Sequence, residues 1–429
     1  MKLPEKALIE SPSHYDIFSL LRGSALSYMV GFYIFAFYLE LHFRIPQLQS
    51  IRFQFTYGAI VGACCLVAFF TEKKYSPQLN TVTKYAFALI FFLTLYTVFS
   101  MDRASSIVIY SDRGVKFAVV AFFIYAAVRN IEDLRVIIAF MLLAWLKIGQ
   151  EGFWGWFTGN LVWENQGIPR LHGSTAMFGH PNSFSGFAVG CMPFAIFLLF
   201  SVKSYLLRAA LITLIFFSLI IIVTTGSRTG YVAIVIGSIY FFMKLKTGKF
   251  KVFMLVLLAG ILTINLVPEH YKERFESIFT GEEKEGQSSD KRKEIIADAI
   301  EIYKTYPLGI GVNAFPYVRS QMFGRSQNTH NLYLEVLTNI GPFGFLVFIL
   351  FVWHIIKRCI ANIHILDKLN EPTLNDKLLV NFSKAIIGFM LMRILLGLFG
   401  MDLYEIYWWL ALGLTLAVTK LTHKRIAES

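Results

Sequence analysis

Four short stretches of this 429-residue chain set arginine or histidine among Gly, Ser, Pro and Asn, next to long apolar runs. The first runs from Arg170 and His172 to Gly179-His180-Pro181-Asn182. Pro181 suits the first turn of a helix, and the N–H groups of a helix start favour an anion. The plainer reading is a re-entrant loop with a capped helix. The second is Thr224-Thr225-Gly226-Ser227-Arg228-Thr229-Gly230, a tight polar hinge between two apolar runs. Arg228 either snorkels to lipid headgroups or captures a phosphate, for which a forked, permanently charged guanidinium is suited. The third is Arg292, flanked by Lys291 and Lys293; alone it is a solvated charge run. The fourth is Thr329-His330-Asn331, just ahead of another apolar run. His330 reads as a helix cap or interface residue, or as a base, because imidazole alone has an unperturbed pKa near neutrality.

Other polar residues extend or restrict this set. Arg393 lies within an apolar run, with Asp402 and Glu405 following it. A charge inside a membrane costs ~2.5–3.5 kcal/mol on insertion scales, so it faces a partner or a cavity. Arg393 thus reads either as a structural ion pair or as a further substrate contact. No Asp or Glu cluster has metal-ligand spacing. His172 and His180 are separated across a loop by a spacing that is not a recognised ligand pattern. Cys64, Cys65, Cys191 and Cys359 show neither metal nor redox spacing. No metal and no cofactor is expected.

The elements that must hold these groups are membrane helices. The chain is 56% hydrophobic and only 16% charged, whereas soluble domains run near ~45–50% and ~25%. An ordinary soluble enzyme, a disordered chain and a collagenous repeat are excluded. A nucleic-acid binder is not expected despite the formal charge of +12. A span needs ~20 mostly apolar residues. About twelve candidates fall near 24–42, 53–70, 84–100, 115–128, 136–157, 183–202, 207–225, 229–243, 252–267, 331–356, 382–400 and 404–419, the fourth and eighth being short. The fold class expected is all-α: a polytopic membrane protein, residues 1–429 forming one membrane domain. With both termini in the cytosol, Lys and Arg concentrate in the cytosolic connections, as at Lys244, Lys246, Lys249 and Lys251, and are sparse in the short outer ones. The one sizeable hydrophilic segment, 268–330, then lies outside, with a helix at about 290–305. All four polar stretches fall on this outer face. Two arginines and a histidine at such a boundary suit a lipid-linked diphosphate: the arginines offset the charge of the leaving group, and the histidine takes a proton from an acceptor hydroxyl.

These residues are similar to motifs of the O-antigen ligase and polymerase superfamily, membrane glycosyltransferases of bacterial surface-polysaccharide assembly. Arg170 followed by Pro181-Asn182 resembles the family's arginine and Pro-Asn pair. Ser227-Arg228-Thr229-Gly230 is like its Ser-Arg hinge. Arg292 followed by Tyr306-Pro307-Leu308-Gly309-Ile310-Gly311 resembles its loop arginine and Pro-x-x-Gly-x-Gly stretch. His330-Asn331-Leu332-Tyr333-Leu334-Glu335 and Gly341 look like its His-Asn signature. The motifs cover about 170–345; their order is specific, though each alone is not.

The resemblance implies a metal-independent glycosyltransferase of the bacterial inner membrane, working on the periplasmic face. The donor would be a polyprenyl-diphosphate-linked glycan (undecaprenyl diphosphate). The acceptor would be lipid A–core for a ligase of lipopolysaccharide biosynthesis, or another lipid-linked glycan for a polymerase. By motif position His330 would be catalytic, Arg228 and Arg292 would bind the diphosphate, and Arg170 and Asn182 would shape the site, with Arg393 as a further candidate. A protein-glycosylating transferase is a third option. Membrane lipids are the other partners. The alternative of another class, a twelve-span secondary transporter, normally shows repeated halves; no repeat is found here.

Overall fold

A computed structural model describes residues 22–71, 80–165, 167–244, 268–280 and 288–428. The first half contributes α1 (Ala25–Tyr38), α2 (Phe53–Thr71), α3 (Asn80–Val98), α4 (Lys116–Ala127) and α5 (Ile131–Thr158). A short hairpin follows, β1 (Val162–Asn165) and β2 (Ile168–Leu171). Next come α6 (Pro181–Leu199), α7 (Tyr205–Thr224) and α8 (Arg228–Lys244). The hydrophilic segment holds α9 (Glu269–Thr280), α10 (Ser288–Thr305) and α11 (Phe315–Phe323). The chain closes with α12 (Leu332–Leu366), α13 (Leu374–Leu396) and α14 (Ile406–Ala427).

The fold is nearly all-α, with one correction to the sequence expectation. The expected all-α fold also holds a short strand pair, in the stretch before α6. Val162 to Leu171 pairs on itself as an antiparallel hairpin, with Asn165 opposite Ile168 and Trp163 opposite Arg170. Gly167 takes φ +72° at the turn, a backbone state that glycine enters without steric cost. Helices lie over each expected span except the ninth, 252–267, which is outside the described residues. Among the described residues, six helices are long and apolar enough to cross a membrane: α2, α3, α6, α7, α12 and α13. The other described helices over expected spans are short, as in α1 and α4, or carry charge. In α5, Lys147 lies 3.3 Å from Glu151, one turn on.

Helices apolar on every side are those expected in a membrane or a large core. Their starts are fixed by side chains. Ser24 accepts from Ser27 N at α1, Asn130 from Asp133 N at α5, and Thr373 with Asp376 forms a reciprocal capping box at α13. Burial separates centre from rim: 67% of the α6 and α13 spans is enclosed by protein, against 17% of α2. α6 packs on α7, α8 and α13. The central helix therefore begins, at Pro181-Asn182, inside one of the polar stretches.

α12 breaks at Gly341, where φ is +66° and ψ −178°, just before Pro342. Proline has no N–H to give to the carbonyl four residues back, which is Thr338. Ile310 N donates to that carbonyl instead, at 2.9 Å, and Gly311 N donates to Asn339 O at 2.9 Å. The Pro307 to Gly311 turn is thus laid backbone-to-backbone on the kink. A Cβ at Gly309 would stand 2.7 Å from Gly341 N, so the approach requires glycine on both sides. Tyr96 of α3 donates its hydroxyl to Leu308 O and closes the joint from the bundle.

Candidate active site

The hinge between α7 and α8 is the best-built part of the site. Gly226, at φ +57°, turns the chain so that α8 starts at Arg228. Beneath it lies Arg170 of β2, 1% exposed. Its Nε donates to Thr225 O at 2.7 Å, Nη1 to Asn165 Oδ1 at 2.9 Å and Nη2 to Asn182 Oδ1 at 2.7 Å. One guanidinium therefore joins the hairpin, the start of α6 and the hinge. Arg170 and Asn182, expected to shape the site, are in direct contact. Burial, together with the charges of Arg274 and Arg228, lowers the Arg170 pKa to about 10, so it stays cationic at neutral pH.

Arg274 was not singled out in the sequence. It lies on α9, is 8% exposed, and its Nε donates to Gly226 O at 3.4 Å. The signal was available in the spacing of Tyr271, Arg274 and Phe275, one face of a helix. Tyr271 is buried, and the Phe275 ring meets that of Tyr231 at 5.8 Å. A stretch dense in charge hid that face.

His180 also joins the cluster. Its Nδ1 accepts from Asn182 N at 3.2 Å as the cap of α6, so the neutral ring carries its proton on Nε2. Burial first, then the charges of Arg170 and His330, lower its pKa to about 4. It remains a neutral donor through the physiological range.

His330 sits at φ +46°, unusual for a residue with a Cβ. Such a state costs ~1–3 kcal/mol and persists where its surroundings enforce it. They do so here. Asn331 caps α12, accepting from Tyr333 N and Leu334 N at 3.0 Å each, and its Nδ2 donates to Leu398 O at 3.1 Å. Leu332 N donates to Gly397 O at 2.7 Å. The cap thus belongs to Asn331, and the imidazole of His330 is left at the surface. Desolvation, then the charges of Arg292 and Arg319, hold its pKa below the ordinary 6.5. A neutral imidazole at neutral pH is competent to accept a proton.

Arg292, half-buried on α10, places its guanidinium carbon 5.7 Å from the centre of the Phe399 ring, beyond the end of α13. α10 is held in place by Arg319 of α11, which is fully buried. Arg319 Nε donates to Asp298 Oδ2 at 2.8 Å, and Nη1 reaches Gln327 O at 3.5 Å. Arg325 adds pairs to Asp298, at 3.0 Å, and to Glu294. The helix carrying Arg292 and the loop leading to His330 therefore share one buried cation.

Arg393 faces the bundle interior. Its Nη2 donates to Gly186 O at 2.9 Å, Nη1 lies 3.8 Å from Asp402 Oδ2, and its Cζ sits 3.3 Å over the Tyr407 ring. These contacts favour the structural reading of Arg393, tying α13 to α6 and α14. Among the described residues no group of three or more His, Cys, Asp or Glu is placed to hold a metal.

The electrostatic couplings run from Arg292 to His330, from His330 to His180, from His180 to Arg170, and from there to Arg228 and Arg274. Helices long and apolar enough to cross a membrane point to a helical membrane protein. Residues 213–349, about a third of the chain, match the model of the O-antigen ligase family. The match takes in Arg228, Arg274, Arg292, His330 and Gly341; Arg170, Asn182 and Arg393 lie outside it. No curated protein matches the chain.

Proposed function

We propose that this protein transfers a glycan from a polyprenyl-diphosphate-linked donor to an acceptor hydroxyl on the outer face of the bacterial inner membrane. The observation that carries the reading is the match of residues 213–349, which hold Arg228, Arg292 and His330, to the O-antigen ligase family. His330, neutral at the start, takes the proton of the acceptor hydroxyl. The acceptor oxygen forms its bond to the anomeric carbon as the bond to the diphosphate oxygen breaks. The electron pair leaves with the polyprenyl diphosphate, whose charge Arg228 and Arg292 offset. One displacement inverts the anomeric carbon and needs no metal. Arg170 and Asn182 hold the hinge in shape. Both termini lie in the cytosol and 268–330 lies outside, as the charge bias suggests.

Ligase and polymerase differ only in acceptor. Purified protein in vesicles, given a lipid-diphosphate glycan and either a lipid A–core or a second lipid-linked glycan, separates them. We expect transfer to one acceptor, inversion at the donor carbon and full activity in excess chelator. Activity lost to chelator and restored by a divalent ion, or retention of configuration, would overturn this mechanism.

A further inference from the structure

We propose that the cleft between α1 and α2 is a binding site for an anionic phospholipid, whose phosphate is held by Arg129. The site lies at the far end of the bundle from the cationic cluster. α5 begins two residues after Arg129 and runs for 28 residues, about 42 Å, toward the hairpin that carries Arg170. By the charge bias this far end is the cytosolic one.

The two helices join at one end and part at the other. Tyr57 of α2 donates its hydroxyl to Met29 O at 3.0 Å, and its ring stacks 6.4 Å from that of Tyr33. From this contact toward the start of α1 and the end of α2, a cleft of about 600 Å³ opens between them. Short side chains leave the space: Ala25 on α1, Ala63 and Ala68 on α2. Leu26, Met29 and Val67 make the wall apolar. From Ala63 to Thr71 the cleft follows α2 for about 12 Å. It is open at the side, where Cys64 and Val67 are exposed. Between membrane helices such an opening faces acyl chains, since the bilayer core holds no water.

The rim is polar and built. Asp133 is fully buried; its Oδ1 accepts from Ser24 N at 2.7 Å and its Oδ2 from Arg129 N at 3.0 Å. One carboxylate, spent on backbone N–H groups, therefore fixes the start of α1 beside the turn that carries Arg129. Arg129 Nη2 donates to Ala68 O at 3.3 Å, which holds the side chain at the cleft. Its Nε and Nη1 have no partner among the described residues. The Ser24 hydroxyl accepts from Ser27 N at 3.3 Å and keeps its own proton to donate. Two donors at the rim of an apolar cleft match the polarity of a phospholipid. A guanidinium without a carboxylate partner favours a headgroup of net negative charge, because the ammonium of a zwitterionic headgroup offsets its phosphate. Basic pockets between spans on the cytosolic side take such headgroups.

The alternative is that Arg129 only caps the end of α2 through Ala68 O and the cleft takes any lipid. The experiment is photolabelling of the purified full-length protein in phosphatidylcholine vesicles. The probe is phosphatidylglycerol with a diazirine on its acyl chain, compared with a phosphatidylcholine bearing the same chain. The expected result is that the phosphatidylglycerol probe labels residues 24–29 and 63–71 at least about tenfold more, the worth of one charge-assisted contact. Arg129→Gln should bring the two probes level, and Arg129→Lys should keep most of the preference. Ala63→Phe fills the cleft, leaves the arginine in place and should also abolish the preference. Arg129 and Ala63 are exposed, so all three variants should melt near the wild type. Equal labelling by both probes in the wild type would overturn the inference, as would a preference that survives Arg129→Gln or Ala63→Phe. If Arg129→Gln melts well below the wild type, Arg129→Lys decides: a preference kept supports the site, and a preference lost makes Arg129 a cap and overturns it.

Discussion

At His330 the surroundings do two things at once. Asn331 takes over the capping of α12, and desolvation, aided by the charges of Arg292 and Arg319, lowers the pKa of the imidazole. A base of this kind is active when unprotonated. Its pKa is lowered, so activity should be full at neutral pH and fall on the acid side, with the limb below 6.5. Arg292→Gln removes a neighbouring positive charge and should shift that limb upward in kcat/KM, separately from any loss in donor affinity. A limb that stays fixed would mean that Arg292 does not face His330. The sequence made His330, Arg228 and Arg292 visible because each stands in a recognisable string. Arg274 was hidden because nothing local distinguishes a buried arginine from a solvated one. Its significance comes from Gly226 O, 48 positions away. For Arg393 two readings were open, and the contacts to Asp402, Gly186 O and Tyr407 favour the structural one.

The joint between the Pro307–Gly311 turn and the broken α12 sets the geometry between bundle and outer segment. Proline inside a helix costs ~3 kcal/mol or more when its lost hydrogen bond goes unreplaced. Here Ile310 N and Gly311 N replace what the break removes. Gly341→Ala should be among the most damaging single changes outside the cationic cluster. Its φ of +66° with ψ near 180° is essentially reserved for glycine, and its Cβ would collide with Leu308 O. A loss of at least about 1–3 kcal/mol is expected, read as a lower melting temperature in detergent. Pro342→Ala should be milder, because Thr338 O already has its partner. A wild-type melting curve for Gly341→Ala would mean that the joint is not as described. The glycines and proline were legible as a motif; the pairing between 310–311 and 338–339 was not, because backbone bonds between distant segments leave no local pattern. The hairpin escaped for a related reason. Its strands are four residues each, too short for alternation to stand out.

For the whole molecule, hydropathy exposed the nearly all-helical architecture, and the Lys and Arg bias suggested an orientation. Individual spans were less legible where polar groups interrupt them. α5 carries Glu132, Asp133, Arg135, Lys147 and Glu151, yet Leu134, Ile137, Met141, Ala144 and Ile148 are fully buried. Tertiary packing, not composition alone, makes that helix part of the core. The orientation has a direct check. A cysteine replacing Gln327 in a cysteine-free background should react with a membrane-impermeant thiol reagent added outside intact cells, and one replacing Lys203 should not. The reverse pattern would put the cationic cluster on the cytosolic side and remove the periplasmic donor from the account.

The central claim is that His330 activates an acceptor hydroxyl against a lipid-linked diphosphate. The measurement that tests it most directly is single-turnover glycan transfer in vesicles, comparing wild type with His330→Ala at saturating donor and acceptor. The account predicts a loss of about 10²–10⁴-fold in the transfer step, the usual contribution of a positioned general base, with donor binding and melting temperature unchanged. Near-normal transfer by His330→Ala, in a protein that folds and binds donor, would contradict it.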